Sequence, residues 1–134
     1  MVFRLANGTY GIELDTVREI IPFRGATRLP GAPRHVAGLV NTRGTIVTVI
    51  DLGARSDGAP AAREGGSVIL IEHGAKLVGA AVDEVLDVRK IADVEIDDSV
   101  AAITGDAAVR AVGRLGGGVI TLLDIHDIIS QVLA

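Results

Sequence analysis

The stretch LPGAPRHVAGLVNTRGTIVTVIDL, Leu29 to Leu52, decides the fold. Pro30 and Pro33 stop any helix and set up a turn. A glycine-bounded segment, Gly38 to Gly44, then carries one full charge, Arg43, into the β-branched run Thr45 to Ile50. That run is too short to span a membrane. It reads as a strand, and Leu39-Val40 before it reads as another. A guanidinium at the mouth of a buried strand is either paired or used for binding. Glu19 and Asp51 are its candidate partners.

Outward from this stretch the chain repeats itself. Gly11-Ile12-Glu13-Leu14-Asp15-Thr16-Val17-Arg18-Glu19-Ile20 and Gly79-Ala80-Ala81-Val82-Asp83-Glu84-Val85-Leu86-Asp87-Val88 share one pattern, G-x-x-aliphatic-D-x-V-x-acid-aliphatic. Gly44 to Leu52 and Gly117 to Ile125 share a second, G-x-aliphatic-aliphatic-T-aliphatic-aliphatic-D-aliphatic. Two matches in the same order predict two structurally similar halves, about 1–53 and 67–134, within a single domain 1–134.

Each half reads as short strands. Val2-Leu5 and Tyr10-Leu14 flank a hairpin turn, as do Val68-Glu72 and Lys76-Val82. Val17-Ile21, Val85-Ile91, Val109-Leu115 and Val119-Leu123 complete the set. Ala54 to Gly66 reads as a flexible loop between the halves. Ile125, Ile128, Ile129, Val132 and Leu133 share one face of a closing helix that Asp124 can cap. The fold class is all-β with short helices and this C-terminal helix. Many short strands with glycine turns point to small barrels, and two barrels of this size must share a core.

Composition narrows the function. The chain has 134 residues, a formal net charge of −4 and 2% aromatics, so it has neither a basic footprint nor a stacking platform for nucleic acid. It has no cysteine and hence no disulfide or thiolate metal site. No signal peptide or membrane-length apolar run is read, which predicts a cytoplasmic protein.

The search for chemistry is negative: no catalytic residue, metal set or cofactor is predicted. Asp51-Leu52-Gly53 and its repeat mate Asp124 invite comparison with an aspartic-protease dyad, but Leu52 and Ile125 replace the hydroxyl such motifs carry. Strand-ending aspartates that cap a turn or helix account for both better. His35, His73 and His126 lack metal-ligand spacing and read as surface or turn residues. Asp93 to Asp98 lacks calcium-loop spacing and reads as a solvated loop.

The Pro30 to Leu52 segment resembles the signature of the CheW family, adaptors of bacterial chemosensory arrays. The family pattern P-x-x-P-x-x-V-x-G-hydrophobic-hydrophobic-N-x-R-G-x-hydrophobic-hydrophobic-x-V-hydrophobic-D-L is matched throughout, with Thr48 where a proline is usual. Tyr10-Gly11-Ile12 and Val82-Asp83-Glu84-Val85 match weaker blocks, so the resemblance runs from Phe3 to the end. It implies two five-stranded SH3-like barrels packed together. It also implies a non-enzymatic scaffold joining the cytoplasmic tip of methyl-accepting chemotaxis receptors to the regulatory domain of the CheA histidine kinase, without membrane insertion, at receptor arrays. By position, Leu14, Val17, Glu19, Ile20, Gly38, Arg43 and Gly79 are expected in or near a receptor groove, and Ala26, Thr27 and Arg28 at the kinase contact. Val17 is expected to be exposed while its repeat mate Val85 is interior. The end at Ala134 is expected to leave no receiver domain, unlike CheV. A module of the same kind in another two-component pathway is the alternative.

Overall fold

A computed structural model describes residues 1–88, 95–97, 105–115 and 118–133. The strands are β1 (Val2–Leu5), β2 (Gly8–Gly11), β3 (Val17–Pro22), β4 (Val36–Thr42), β5 (Thr45–Asp51), β6 (Ser67–His73), β7 (Lys76–Val82), β8 (Glu84–Asp87), β9 (Glu95–Asp97), β10 (Val109–Leu115) and β11 (Gly118–Leu123). The helices are α1 (Leu52–Arg55) and α2 (Ile125–Leu133). The molecule is mostly β, as expected.

The strands form two sheets whose orders follow a reciprocal exchange. One sheet runs β3-β6-β7-β5-β4 and the other β8-β1-β2-β11-β10-β9. The β6-β7 hairpin, from the second half of the chain, sits between β3 and β5 of the first. The β1-β2 hairpin, from the first half, sits between β8 and β11 of the second. The two exchanges use the same joints: β7 pairs with β5 in parallel and β2 pairs with β11 in parallel. The repeat is therefore real at the level of topology, but each sheet takes its central hairpin from the other half. The second sheet also carries a sixth strand, β9, within the acidic stretch read above as a loop.

Period-2 alternation divides the aliphatic residues among three clusters. Along β5 and β6, Val47, Val49, Val68 and Leu70 enter a small core within the first sheet, while Ile50, Ile69 and Ile71 face the other way. Val2, Ala111, Ile120 and Leu122 make the matching core of the second sheet. Between the sheets lies the main core, where Phe3, Leu5, Ile12, Ile50, Leu52, Ile69, Ile71, Leu123, Ile125, Ile128 and Ile129 are all essentially inaccessible to solvent. The inner strands are buried on both faces, which is why they read as near-continuous apolar runs.

Two helices seal this core, and an aspartate starts each. Asp51 Oδ1 accepts from the N–H of Ala54 at 3.0 Å and of Ala61 at 2.9 Å, and its Oδ2 accepts from Ala62 at 2.9 Å. Asp124 Oδ1 accepts from the N–H of Asp127 at 3.0 Å, capping α2. The 54–66 segment read as a flexible loop is thus tied down: its first two residues end α1, and Ala61 is fully buried. A carboxylate that anchors three backbone donors up to eleven residues away leaves no sequence signal of that reach.

Candidate functional site

The Asn41-Thr42-Arg43-Gly44 motif is a two-residue hairpin turn. Thr42 pairs with Thr45 across it, and Arg43 and Gly44 both take positive φ, 51° and 85°. Two consecutive positive angles give the turn that matches the twist of the flanking strands. Asn41 Oδ1 accepts from the Gly44 N–H at 2.9 Å and holds it closed. Glycine takes this conformation freely, whereas an arginine in it costs on the order of 1 kcal/mol. Arg43 Nη2 donates to Glu19 Oε2 at 2.5 Å, with the arginine side chain 76% and the glutamate 31% exposed. Such an exposed pair contributes about 0–1 kcal/mol. The pairing therefore offsets little more than the turn strain, and stability does not account for an arginine here. Asp51, the other candidate partner, is fully engaged at α1.

The remaining residues expected in the groove fall into three settings. Ile20 lies beside Glu19 on β3 and is exposed. Leu14 and Val17 are half-buried and pack against the main core. Val85 has the same setting, so the expected contrast between Val17 and Val85 has no structural basis. Gly38 and Gly79 are buried and shape packing. A Cβ on Gly79 would lie 2.7 Å from Val68 Cγ1 and 3.1 Å from Val49 Cγ2, inside the first sheet's own core. A Cβ on Gly38, where φ is 138°, would lie 2.2 Å from the carbonyl oxygen of Thr27. Gly38 thus belongs under the segment expected to meet the kinase.

That segment is an ordered arm. It is fixed at its start by the Phe23 N–H donating to the Gly66 carbonyl at 3.0 Å. Thr27 and Leu39 exchange two backbone hydrogen bonds of 2.8 Å, an isolated bridge on the edge strand β4. Ala26 is half-buried, while Thr27 and Arg28 are exposed.

Sequence reading missed two features. Ile46, two residues after Gly44, is 60% exposed, and its repeat mate Val119 is 66% exposed. An isoleucine inside a β-branched run carries no sign of facing outward. His73 and His126 also meet: their Nδ1 atoms lie 2.8 Å apart, and His126 Nε2 lies 2.8 Å from Thr16 Oγ1. One Nδ1 carries the hydrogen and the other accepts it. The contact clips α2 to the β6-β7 turn, and a separation of 53 residues hid it. Among the described residues no group of three or more His, Cys, Asp or Glu is placed to hold a metal ion. Asp51 and Asp124 each start a different helix, so these two form no carboxylate dyad.

These features define a class of mostly β, two-sheet domain whose halves exchange hairpins and whose aspartates cap its two helices. Comparison with known proteins gives the particular family. The CheW-like domain family matches residues 1–133. The chain is 31% identical to the chemotaxis protein CheW of Klebsiella aerogenes, over 98% of this chain and 81% of that one. It is likewise 31% identical to CheW of Treponema pallidum over the same shares. The crystal structure of the scaffolding protein TtCheW from Thermoanaerobacter tengcongensis superposes with a TM-score of 0.78 at 28% identity, covering 93% of this chain and 87% of that one. The chain belongs to the CheW family. No described helix is long and apolar enough to cross a membrane.

Proposed function

We propose that this protein couples the cytoplasmic tip of methyl-accepting chemotaxis receptors to the regulatory domain of a CheA-type histidine kinase, in the cytoplasm at receptor arrays. The observation that carries this reading is Arg43: an exposed guanidinium in a left-handed turn, in a pair too weak to account for it, within the family's most specific motif. Arg43, Glu19 and Ile20 are the residues offered to the receptor. Leu14 and Val17 border them from the core, and Gly38 and Gly79 act through packing. Ala26, Thr27 and Arg28 are offered to the kinase. Affinity capture from the source cell tests the reading. Recovery of a chemoreceptor and a CheA-like kinase supports it, with the receptor lost on Arg43→Ala. Recovery of neither refutes it.

A further inference from the structure

The described arginines are paired with unusual regularity. Arg4, Arg18, Arg34, Arg43, Arg55, Arg63 and Arg110 each lie against a carboxylate. Arg24 and Arg28 have no acidic partner among the described residues, and both are exposed. They lie four residues apart on one short arm. In a chain of net charge −4, the described guanidiniums without an acidic partner are therefore gathered in one place.

The arm is rigid enough to make that placement specific. The Phe23–Gly66 bond fixes its start, the Thr27–Leu39 bridge its middle, and a turn from the Ala32 N–H to the Leu29 carbonyl its end. Gly38 allows the arm to lie flat, since any side chain there would strike Thr27. Beneath it a cavity of about 360 Å³ has an apolar lining that includes Phe23, Ala37, Pro60 and Ala62, with Arg28 and Arg34 also at its wall.

We infer that this arm recognises an acidic, extended protein segment. Two carboxylates of that segment meet Arg24 and Arg28, and an aliphatic side chain between them enters the cavity. Four residues of chain reach at most about 14 Å, so the matching carboxylates stand no more than about four residues apart on an extended strand. Arginine suits this role because its planar fork matches a carboxylate with two parallel hydrogen bonds. A membrane or nucleic acid is a poorer fit, because both need a larger basic cluster than two free arginines. The inference rests on the reading that this face meets the kinase, and it adds the partner's chemistry.

The test is a binding titration of the full-length protein against the regulatory domain of the CheA-type kinase, at about 50 and about 300 mM NaCl. Compared are the wild type, Arg24→Glu/Arg28→Glu, Arg28→Glu and a control, Lys76→Glu, which makes the same charge change as Arg28→Glu on the distant β7. Matched melting curves establish that all are folded. The expected result is weakening of about tenfold or more for the double variant at low salt, less at high salt, and a change below about twofold for Lys76→Glu. Wild-type affinity that ignores salt, or a double variant that binds like wild type, overturns the inference. So does arginine-dependent binding to phosphatidylserine vesicles with kinase affinity unchanged. Absence of any wild-type binding refutes instead the reading of the face on which the inference rests.

Discussion

Arg43 and Glu19 belong to opposite edges of one sheet, yet their charged groups meet at 2.5 Å. Glu19 is on β3 and Arg43 follows β4, the first and last strands of the order β3-β6-β7-β5-β4. The sheet therefore curls until its edges face each other across a side-chain pair, consistent with an SH3-like fold. The residue we propose to meet the receptor is also the one that closes the sheet. Closure by a weak exposed pair leaves the edge open to a partner, which a backbone ladder would not.

Substitution at Arg43 should separate binding from stability. Arg43→Gly removes the ion pair but also the left-handed strain, so the two effects oppose each other. We predict a change in unfolding free energy within about 1 kcal/mol of zero, with receptor binding lost. Urea denaturation and receptor co-sedimentation on the same variant check this. A loss of about 3 kcal/mol would mean that Arg43 is structural.

Gly38→Ala should act in the opposite way. The added methyl strikes the Thr27 carbonyl and sits at a φ that alanine resists. We predict destabilisation of about 1–3 kcal/mol together with release of the arm. Amide exchange at Thr27 and Leu39 should accelerate more than at Ile69 or Ile71. Equal acceleration everywhere would indicate global unfolding without local release.

The exchanged hairpins predict that the halves do not fold alone. Fragment 1–53 lacks β6 and β7 from the middle of its sheet, and fragment 67–134 lacks β1 and β2. Each would expose two unpaired strand edges and its share of the main core. We propose that the chain unfolds in one transition and that the fragments recover dispersed amide resonances on mixing, not separately. Two separate melting transitions would contradict this.

Acid should loosen the joint between the sheets. Arg55 on α1 makes a bidentate pair with Asp106, just before β10, with both contacts at 2.9 Å. The Arg55 hydrogen bond, aided by the Ala108 N–H, holds the Asp106 carboxyl below its ordinary value of 3.8, against desolvation. A depressed pKa in the folded state means that the stabilisation is complete above the unfolded value and lost as pH falls through the folded one. We predict that Asp106→Asn lowers stability at pH 7 and that the gap from wild type narrows below about pH 4. A constant gap from pH 7 to pH 3 would remove Asp106 from the account.

Much of this was legible in the sequence because aliphatic alternation and β-branching report strands directly. β10, β11 and α2 lie where the pattern puts them, and the capping role of Asp124 follows from its place before an amphipathic run. The exchange of hairpins was not legible, since identical patterning suits a hairpin in either sheet. The Glu19–Arg43 pair was within reach, because a lone charge in an apolar stretch asks for a partner. The packing roles of Gly38 and Gly79 were not, because a missing side chain says nothing about what lies against it.

The most direct test of the account is kinase activity in an assembly reconstituted from chemoreceptor-bearing membranes and a CheA-type kinase, with this protein present, absent or carrying Arg43→Ala. We predict that receptor control of phosphorylation requires the protein and falls by about tenfold or more with Arg43→Ala, at an unchanged melting temperature. Receptor control that persists without the protein, or is the same with Arg43→Ala, would contradict the account.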